Sequence, residues 1–312
     1  KFNLGLSSTR PDGYTPAALL AEIRRRASAL MQEQRQTIAE TMQLLKQEHL
    51  FVLPVAELEP DEREAVRTFF SEEIFPILTP LAADYARPFP FISNLSLNIG
   101  VYLERESKDE HNHQSLEFVR VKVPEAMSRI VNVNKIMRKY SSASGEQTRQ
   151  AYVWIEDVIM DNLDLLFPGM KVVERYPFRV TRNADIDYEH EQDKELLDMS
   201  AVIEESIRER KFGSVVRMSV PENISQRMLT RLIHELDVDP ERDVYFINGA
   251  LGSSGLFQLY GEIDRPDLKF PPYLPRIPEF LGQGKDLFAA IRSGDIMLHH
   301  PYDSFSPVEE FF

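Results

Sequence analysis

The stretch that decides the fold class of the central region is LSLNIGVYL, residues 95–103. Leucine, isoleucine and valine occupy every second position, with polar, small or aromatic residues between them. Successive side chains of a β-strand point to opposite faces of a sheet, so this alternation predicts a half-buried strand. Residues 118–123 (FVRVKV) are again rich in apolar residues after the polar loop 105–115, which predicts a hairpin partner for the first strand.

Short strands and helices alternate downstream of this hairpin. Besides a loop at 139–149, we predict strands at 152–155, 171–181, 215–220 and 243–247, and helices at 156–167, 189–211 and 225–236. Mixed elements that follow an early hairpin favour an α+β domain over a doubly wound parallel sheet.

Upstream of the hairpin, the sequence predicts one long amphipathic helix from Thr15 to about Glu48. Thr15 is a suitable N-cap and Pro16 a suitable first helical residue. Apolar residues then recur at steps of three and four, with charged residues between them. A coiled coil is the alternative, although the spacing is not a sustained heptad. Residues 61–74 predict a second, shorter helix.

The last fifty residues differ from the mixed region before them. Residues 264–278 contain five prolines and indicate a linker. We then predict a helix or turn at 285–291, a short apolar strand at 296–299 and the beginning of a helix at 307–312. This arrangement indicates the opening of a further domain.

Composition and charge restrict the chemistry that the chain can support. The 312 residues carry a net charge of −14 and contain no cysteine, which excludes disulfides and thiolate metal sites. A protein that binds a polyanion through broad electrostatics is basic, so phosphate binding here needs a local arginine or lysine cluster, or sequence outside this chain. We find no run of about 18 apolar residues, no glycine-rich phosphate loop and no histidine framework for a metal.

Three stretches are distinctive as sequence motifs. They are ILTPLA (77–82) leading to RPFPFISNLSL (87–97), then FRVTRNADID (178–187), and finally HHPYDSF (299–305). In this order they closely resemble the polyphosphate kinases that use a phosphohistidine intermediate, and the resemblance covers nearly the whole chain.

The resemblance implies a multidomain protein. Residues 1–49 would be the remainder of an all-α N-terminal domain, and residues 50–277 an α+β head domain that takes part in dimerisation. Residues 278–312 would begin the first C-terminal α/β domain, of phospholipase D-like fold.

The same resemblance implies a phosphotransferase that moves the terminal phosphate of ATP reversibly to inorganic polyphosphate. ATP and ADP are then substrates, magnesium is the cofactor, and the protein is a homodimer or higher oligomer that binds no nucleic acid. A cytoplasmic location is implied, with peripheral membrane attachment left open.

The family's phosphorylated histidine and the groups that hold magnesium would lie past Phe312. We therefore expect no catalytic or metal-binding residue in this chain, no activity from it alone and, given its net charge, little affinity for polyphosphate. The alternatives are a non-catalytic oligomerisation or binding module and a phospholipase D-like hydrolase.

Two arginines and two hydroxyl residues are the candidate phosphate ligands. Arg179 and Arg182 fit because guanidinium forks match phosphate oxygens, but Arg182 and Asp185 could equally pair with each other or across a dimer interface. Tyr302 and Ser304 precede a predicted helix start, where phosphate groups bind readily.

The alternative for the second pair is that Asp303 or Ser304 caps the helix.

For self-association, the aromatic residues expected to be exposed on the head domain are Phe89, Phe91, Tyr176 and Tyr188.

Overall fold

The computed structural model describes residues 13–83, 87–105, 116–141, 149–183, 213–282 and 285–312. The predicted helix at 189–211 lies outside these residues. By its internal contacts the chain divides into two units, Lys1–Tyr260 and Gly261–Phe312.

The elements of the first unit follow the mixed order that the sequence predicts. Its helices are α1 (Pro16–Gln47), α2 (Pro60–Phe69), α3 (Val133–Tyr140), α4 (Ile155–Asp161), α5 (Leu163–Leu166), α6 (Gln226–Leu236) and α7 (Gly255–Glu262), which crosses the boundary between the units. Its strands are β1 (Leu50–Val52), β2 (Leu81–Ala83), β3 (Leu97–Arg105), β4 (Leu116–Lys122), β5 (Ile130–Asn132), β6 (Gln150–Trp154), β7 (Met170–Arg182), β8 (Val215–Pro221) and β9 (Val244–Ile247).

The strands of the described residues form two mixed sheets. The larger sheet has the order β2-β4-β3-β7-β8-β9 and is antiparallel except between β8 and β9. The smaller sheet has the order β1-β6-β5, with β1 parallel and β5 antiparallel to β6. The predicted hairpin is confirmed, because β3 and β4 pair in register from Asn98↔Lys122 to Glu104↔Leu116.

Strand β3 is buried on both faces, so the prediction of a half-buried strand is wrong. Its large apolar residues pack into one core, but the positions between them are buried as well. Asn98 is fully buried, and its side chain tolerates burial because its Oδ1 accepts a hydrogen bond from Arg120 Nε at 2.7 Å. A Cβ at Gly100 would lie 3.0 Å from Met228 Sδ, so α6 packs closely against the strand there. Satisfied polar groups and a small residue thus allow a buried face that looks polar in the sequence.

Local signals place α1, α2 and α6 close to where the sequence predicts them, whereas α3 and α7 were not predicted. The Thr15 side chain accepts a hydrogen bond from the Ala18 N–H, and Pro16 opens α1. Glu59 and Glu62 form a capping box at the start of α2. The Ser225 hydroxyl accepts from the Met228 N–H at the start of α6.

Two apolar cores lie on the two faces of the larger sheet. The first joins β3 and β4 to α2, α4 and the smaller sheet. The second is formed by β7, β8 and the apolar face of α6, where Met228 and Leu232 are fully buried. Helix α1 has no buried residue and places Met31 against the first core.

The predicted helix at 156–167 is divided into α4 and α5 by Asn162. Its buried side chain donates from Nδ2 to the Val158 carbonyl at 2.8 Å and accepts from Arg67 Nη1 at 3.0 Å. An asparagine that bonds the backbone one turn earlier competes with the helix and interrupts it. Helix α3 also extends to Tyr140, so the predicted loop at 139–149 begins too early.

The second unit contains α8 (Leu287–Ser293) and α9 (Ser306–Phe311), close to their predicted positions. The predicted strand at 296–299 is wrong, because residues 295–299 have no regular secondary structure. This short apolar run has no partner strand within the described residues, and Met297 at its centre is 87% exposed. Without a partner or a buried face, a short strand is not stable. No helix of the described residues is both long and apolar enough to cross a membrane.

Candidate functional site

Four arginines from different elements of the first unit come together near Gly252, in the wall of a cleft that Arg35 lines. Arg35 lies on α1, Arg129 directly precedes β5, Arg179 lies on β7 and Arg217 lies on β8. The cleft has a volume of about 930 Å³ and is bordered by α1, β9 and the loop at 248–253. We refer to these four residues as the arginine cluster. It is a local concentration of positive charge in a chain of net charge −14.

Arg129 and Arg179 approach each other at Gly252 in the wall of the cleft. Gly252 has a φ of +90°, and a Cβ there would lie 2.7 Å from Arg179 Nη1 and 3.4 Å from Arg129 Nη1. Its carbonyl accepts a hydrogen bond from Arg129 Nη1 at 2.8 Å. The left-handed backbone conformation favours glycine at this position, and a side chain there would displace the end of the Arg179 side chain.

Arg129 is held by an ion pair and by an aromatic ring. It donates from Nε and Nη2 to the buried carboxylate of Glu156. Its guanidinium carbon lies 4.9 Å from the centroid of the Trp154 ring, which lines the cleft. These contacts fix the guanidinium beside Gly252.

Arg217 and Arg179 are oriented by neutral partners. Arg217 donates to Ser219 Oγ at 3.2 Å and to Met31 Sδ at 2.9 Å, and it lies 4.5 Å from the Tyr245 ring centroid. Arg179 donates from Nε to the Leu95 carbonyl at 2.9 Å. None of these partners carries a compensating negative charge.

Arg35 completes the cluster from α1 and lines the cleft. Its Nε is buried without a hydrogen-bond partner. Burial and the positive charges of Arg129 and Arg217 lower the pKa of Arg35, and the same three causes lower the pKa of Arg179. The charges of the cluster therefore repel one another within a partly desolvated space.

Arg182 lies away from this cluster and contacts a different part of the fold. Its side chain donates to the carbonyls of Ile92 and Gly213, both at 2.7 Å, and lies 4.4 Å from the Phe91 ring centroid. Its backbone N–H donates to Asn94 Oδ1 at 2.8 Å. Burial lowers the pKa of Arg182. Arg182 thus connects the segment 91–94 to the end of β7, and its predicted partner Asp185 lies outside the described residues.

Two of the four aromatic residues expected on an exposed surface, Phe89 and Tyr176, are partly buried. Phe89 stacks on Phe118 at a centroid distance of 5.4 Å and packs against the second core, as does Tyr176. Phe91 is 39% exposed and lies beneath the Arg182 guanidinium, whereas Tyr188 lies outside the described residues.

Tyr302 and Ser304 lie in the second unit. The Ser304 hydroxyl accepts a hydrogen bond from the Ser306 N–H at 3.1 Å, at the start of the six-residue helix α9. Tyr302 is 53% exposed, and its ring contacts His299 and Tyr273. These contacts show how the turn is held.

Asp303 holds this turn together, which the sequence analysis did not predict. Its carboxylate accepts from the His299 N–H and from Arg276 Nε, both at 2.9 Å. The His299 N–H and the Arg276 guanidinium lower the pKa of Asp303.

Asp157 on α4 is an acidic group whose pKa is shifted by its surroundings. Burial raises its pKa from 3.8 to about 7, and the negative charges of Glu156 and Asp161 add to this effect, while Arg129 opposes it. It borders a second cleft, of about 520 Å³. Within the described residues no three histidine, aspartate or glutamate side chains converge as metal ligands.

Comparison with known proteins identifies the family. The sequence model of the polyphosphate kinase middle domain matches residues 61–259, more than half of the chain. The chain belongs to the polyphosphate kinase family. Polyphosphate kinase 1 of Chlorobaculum tepidum is 38% identical over 308 residues, which are 98% of this chain and 42% of that protein. The polyphosphate kinase of Mycolicibacterium paratuberculosis is 39% identical over 97% of this chain and 40% of its own length.

A solved polyphosphate kinase shares the fold. The crystal structure of the Porphyromonas gingivalis enzyme superposes with a TM-score of 0.68 at 22% identity, and covers 94% of this chain and 40% of the other. The chain thus spans about two fifths of the length of the polyphosphate kinases that it matches. The resemblance of the three motifs to this family is confirmed.

Within this polyphosphate kinase segment, the sequence analysis identified one of the four clustered arginines. Arg179 stood out because it lies in the motif FRVTRNADID, but Arg35, Arg129 and Arg217 belong to none of the three motifs. Gly252 carried a weak signal, since the loop at 249–255 contains three glycines and indicates a close approach of backbone and side chains.

Proposed function

We propose that the full-length protein containing this chain is a polyphosphate kinase, which transfers the terminal phosphate of ATP reversibly to inorganic polyphosphate. One observation carries this proposal. Relatives that are 38–39% identical over 97–98% of the chain bear the name polyphosphate kinase. This identity over nearly the whole chain supports ATP, ADP and polyphosphate as the proposed substrates.

We assign this chain a supporting part in the reaction, with the phosphohistidine formed elsewhere in the protein. Phosphoryl transfer through a covalent intermediate needs a nucleophile beside cationic groups. No histidine of the described residues lines the cleft at the arginine cluster. His300 instead contacts the Asp303 carbonyl through Nδ1, and His299 packs on Tyr302.

Magnesium belongs to the proposed reaction through the family, but the described residues do not suit it. Mg²⁺ prefers an octahedral set of oxygen ligands that includes carboxylates. The described carboxylates form no convergent group of three. Following the family resemblance, we assign the Mg²⁺ ligands to residues outside this chain, and we derive no step from the ion here.

The proposed domain organisation has three parts. Residues 1–49 complete a helical N-terminal domain, residues 50–277 form the α+β head, and residues 278–312 begin a phospholipase D-like domain. The helix α1 and the mixed sheets of the first unit support the first two assignments. We also propose a cytoplasmic location, because that is where the proposed substrate ATP is available.

The activity test uses the purified full-length protein with labelled ATP and Mg²⁺. We expect label to accumulate in acid-insoluble polyphosphate, and added ADP to return it to ATP. The 312-residue chain, assayed beside it, should form none. A full-length protein that makes no polyphosphate, or that releases only inorganic phosphate, would contradict the proposal and favour a hydrolase.

We also propose that the protein is a homodimer in which the head takes part. Light scattering of the full-length protein should give twice the mass of one chain. A version without residues 50–277 should then be monomeric. A dimer that persists after this deletion would show that the head is not the dimerisation domain.

A further inference from the structure

The arginine cluster carries more positive charge than its surroundings compensate. Glu156 pairs with Arg129, but within the described residues no carboxylate forms an ion pair with Arg35, Arg179 or Arg217. Glu222 is the one acidic residue in the described lining of the cleft. Within the part of the chain that the structure describes, three guanidinium groups therefore lack a counter-charge.

Repulsion between these guanidinium groups destabilises the fold unless another group occupies the cleft. Arginine stays protonated at neutral pH, so the cluster cannot relieve its repulsion by losing a proton. Buried charged groups are normally paired or hydrogen-bonded. The buried Nε of Arg35 has neither kind of partner, and the Arg35 side chain lines a cleft of about 930 Å³. An anion in this cleft would supply a counter-charge to the cluster.

The chemistry of the cluster selects the class of anion. Guanidinium groups bind phosphate oxygens through pairs of parallel hydrogen bonds. Four such groups from four separate elements suit a ligand that carries several phosphates in a row. The Tyr245 and Trp154 rings, which could otherwise stack on a nucleobase, already carry the guanidinium groups of Arg24, Arg217 and Arg129.

We propose that the arginine cluster at the Gly252 end of the cleft is a binding site for a condensed phosphate chain, and that its ligand is free polyphosphate. The substrate assignment rests on the proposed function, whereas the anion site rests on the cluster itself. The site revises the expectation of little affinity for polyphosphate. Local charge decides binding at short range, because exposed charges farther away than about 8 Å are largely screened at physiological salt.

Arg35→Gln is the most informative variant. In the structure Arg35 Nε donates no hydrogen bond, so the substitution removes a repelled charge without breaking a contact of that atom. We expect Arg35→Gln to melt at a higher temperature than wild type in phosphate-free buffer. A purely structural arginine would show the opposite change. Arg26→Gln is the matched control, because Arg26 lies on the same helix, is 70% exposed and pairs with Glu22.

Calorimetric titration of the full-length protein with sodium tripolyphosphate at fixed ionic strength tests binding. Any binding at the catalytic part is common to all variants, so the difference between Arg35→Gln and Arg26→Gln reports on the cluster. We expect Arg35→Gln to weaken the cluster's affinity about tenfold. Arg26→Gln should match wild type. Arg35→Lys should fall between, since it keeps the charge and loses the fork.

Three results would overturn the proposal. Equal tripolyphosphate affinity in Arg35→Gln and wild type would remove the site. An equal loss in Arg26→Gln would reduce it to non-specific attraction. A parallel titration with ATP that loses as much affinity as tripolyphosphate would make the ligand a nucleotide.

Turnover of the same proteins separates this inference from the proposed function. If the wild type makes polyphosphate and Arg35→Gln has an unchanged KM for polyphosphate and unchanged tripolyphosphate binding, the inference fails and the function stands. If the wild type makes none while Arg35→Gln loses tripolyphosphate binding, the anion site stands and the proposed function fails.

Discussion

At the scale of single residues, the same residue type has different roles at positions close in sequence. Arg179 and Arg182 lie three positions apart on β7, and the pairing with β8 shifts register between Thr181 and Arg182. Arg179 approaches Gly252 and the other clustered arginines, whereas Arg182 donates to backbone carbonyls. Residues three positions apart in a strand point to opposite faces of the sheet, so the two arginines do not form the pair that the sequence analysis made of them.

Asp157 gives a prediction about pH. Its pKa is raised from 3.8 to about 7, so the folded state prefers the protonated form. This stabilising contribution is complete below pH 3.8 and is lost as the pH rises through 7. Asp157→Asn keeps an uncharged side chain at every pH. Its unfolding free energy relative to wild type should therefore rise by about 2 kcal/mol between pH 5 and pH 8.

Urea unfolding of the chain and of the Asp157→Asn variant at the two pH values measures this difference. Glu64→Gln, which replaces an exposed carboxylate on α2, is the control for the loss of a negative charge. A difference between Asp157→Asn and wild type that stays constant from pH 5 to pH 8 would show that Asp157 ionises normally in the folded chain.

At the scale of elements, local signals in the sequence were sufficient to predict features that depend on neighbouring residues. Thr15 with Pro16, and Ser225 before α6, mark helix starts through hydrogen bonds within one turn. The two buried faces of β3 could not be predicted, because Asn98 and Gly100 depend on Arg120 and Met228, which are distant in sequence.

Arg182 stabilises the connection between β7 and the segment 91–94. Arg182→Ala removes two side-chain hydrogen bonds to carbonyls and should lower the unfolding free energy by about 2 kcal/mol. Turnover of the full-length enzyme should change much less. Arg175→Ala is the matched control, since Arg175 is an exposed arginine on the same strand.

Thermal unfolding and turnover of the two full-length variants distinguish a structural from a substrate-binding role of Arg182. A normal melting temperature together with a turnover reduced about a hundredfold would make Arg182 a phosphate ligand, because such a loss reflects the transition state and not the fold.

At the scale of the whole molecule, net charge and local charge lead to opposite conclusions. The net charge of −14 argues against broad contact with a polyanion. The fold nevertheless gathers Arg35, Arg129, Arg179 and Arg217 from positions almost two hundred residues apart. The net charge of the sequence indicated that phosphate binding would need a local cluster of positive charge. Only the tertiary structure shows which arginines form it.

The family and the fold class were more predictable than the site. Three motifs in a fixed order were enough to indicate the polyphosphate kinase family, which the match to residues 61–259 confirms. The division of labour within the full-length protein stays a prediction. It states that this chain supports the reaction while the phosphorylated histidine lies in the other part.

Mapping the acid-labile phosphate tests this division directly. The full-length protein is incubated with radiolabelled ATP and Mg²⁺, digested at alkaline pH, and its labelled peptides are identified. We predict stoichiometric labelling of one histidine outside residues 1–312, and none within them. A stoichiometrically labelled histidine inside Lys1–Phe312 would place the active site in this chain and contradict the account.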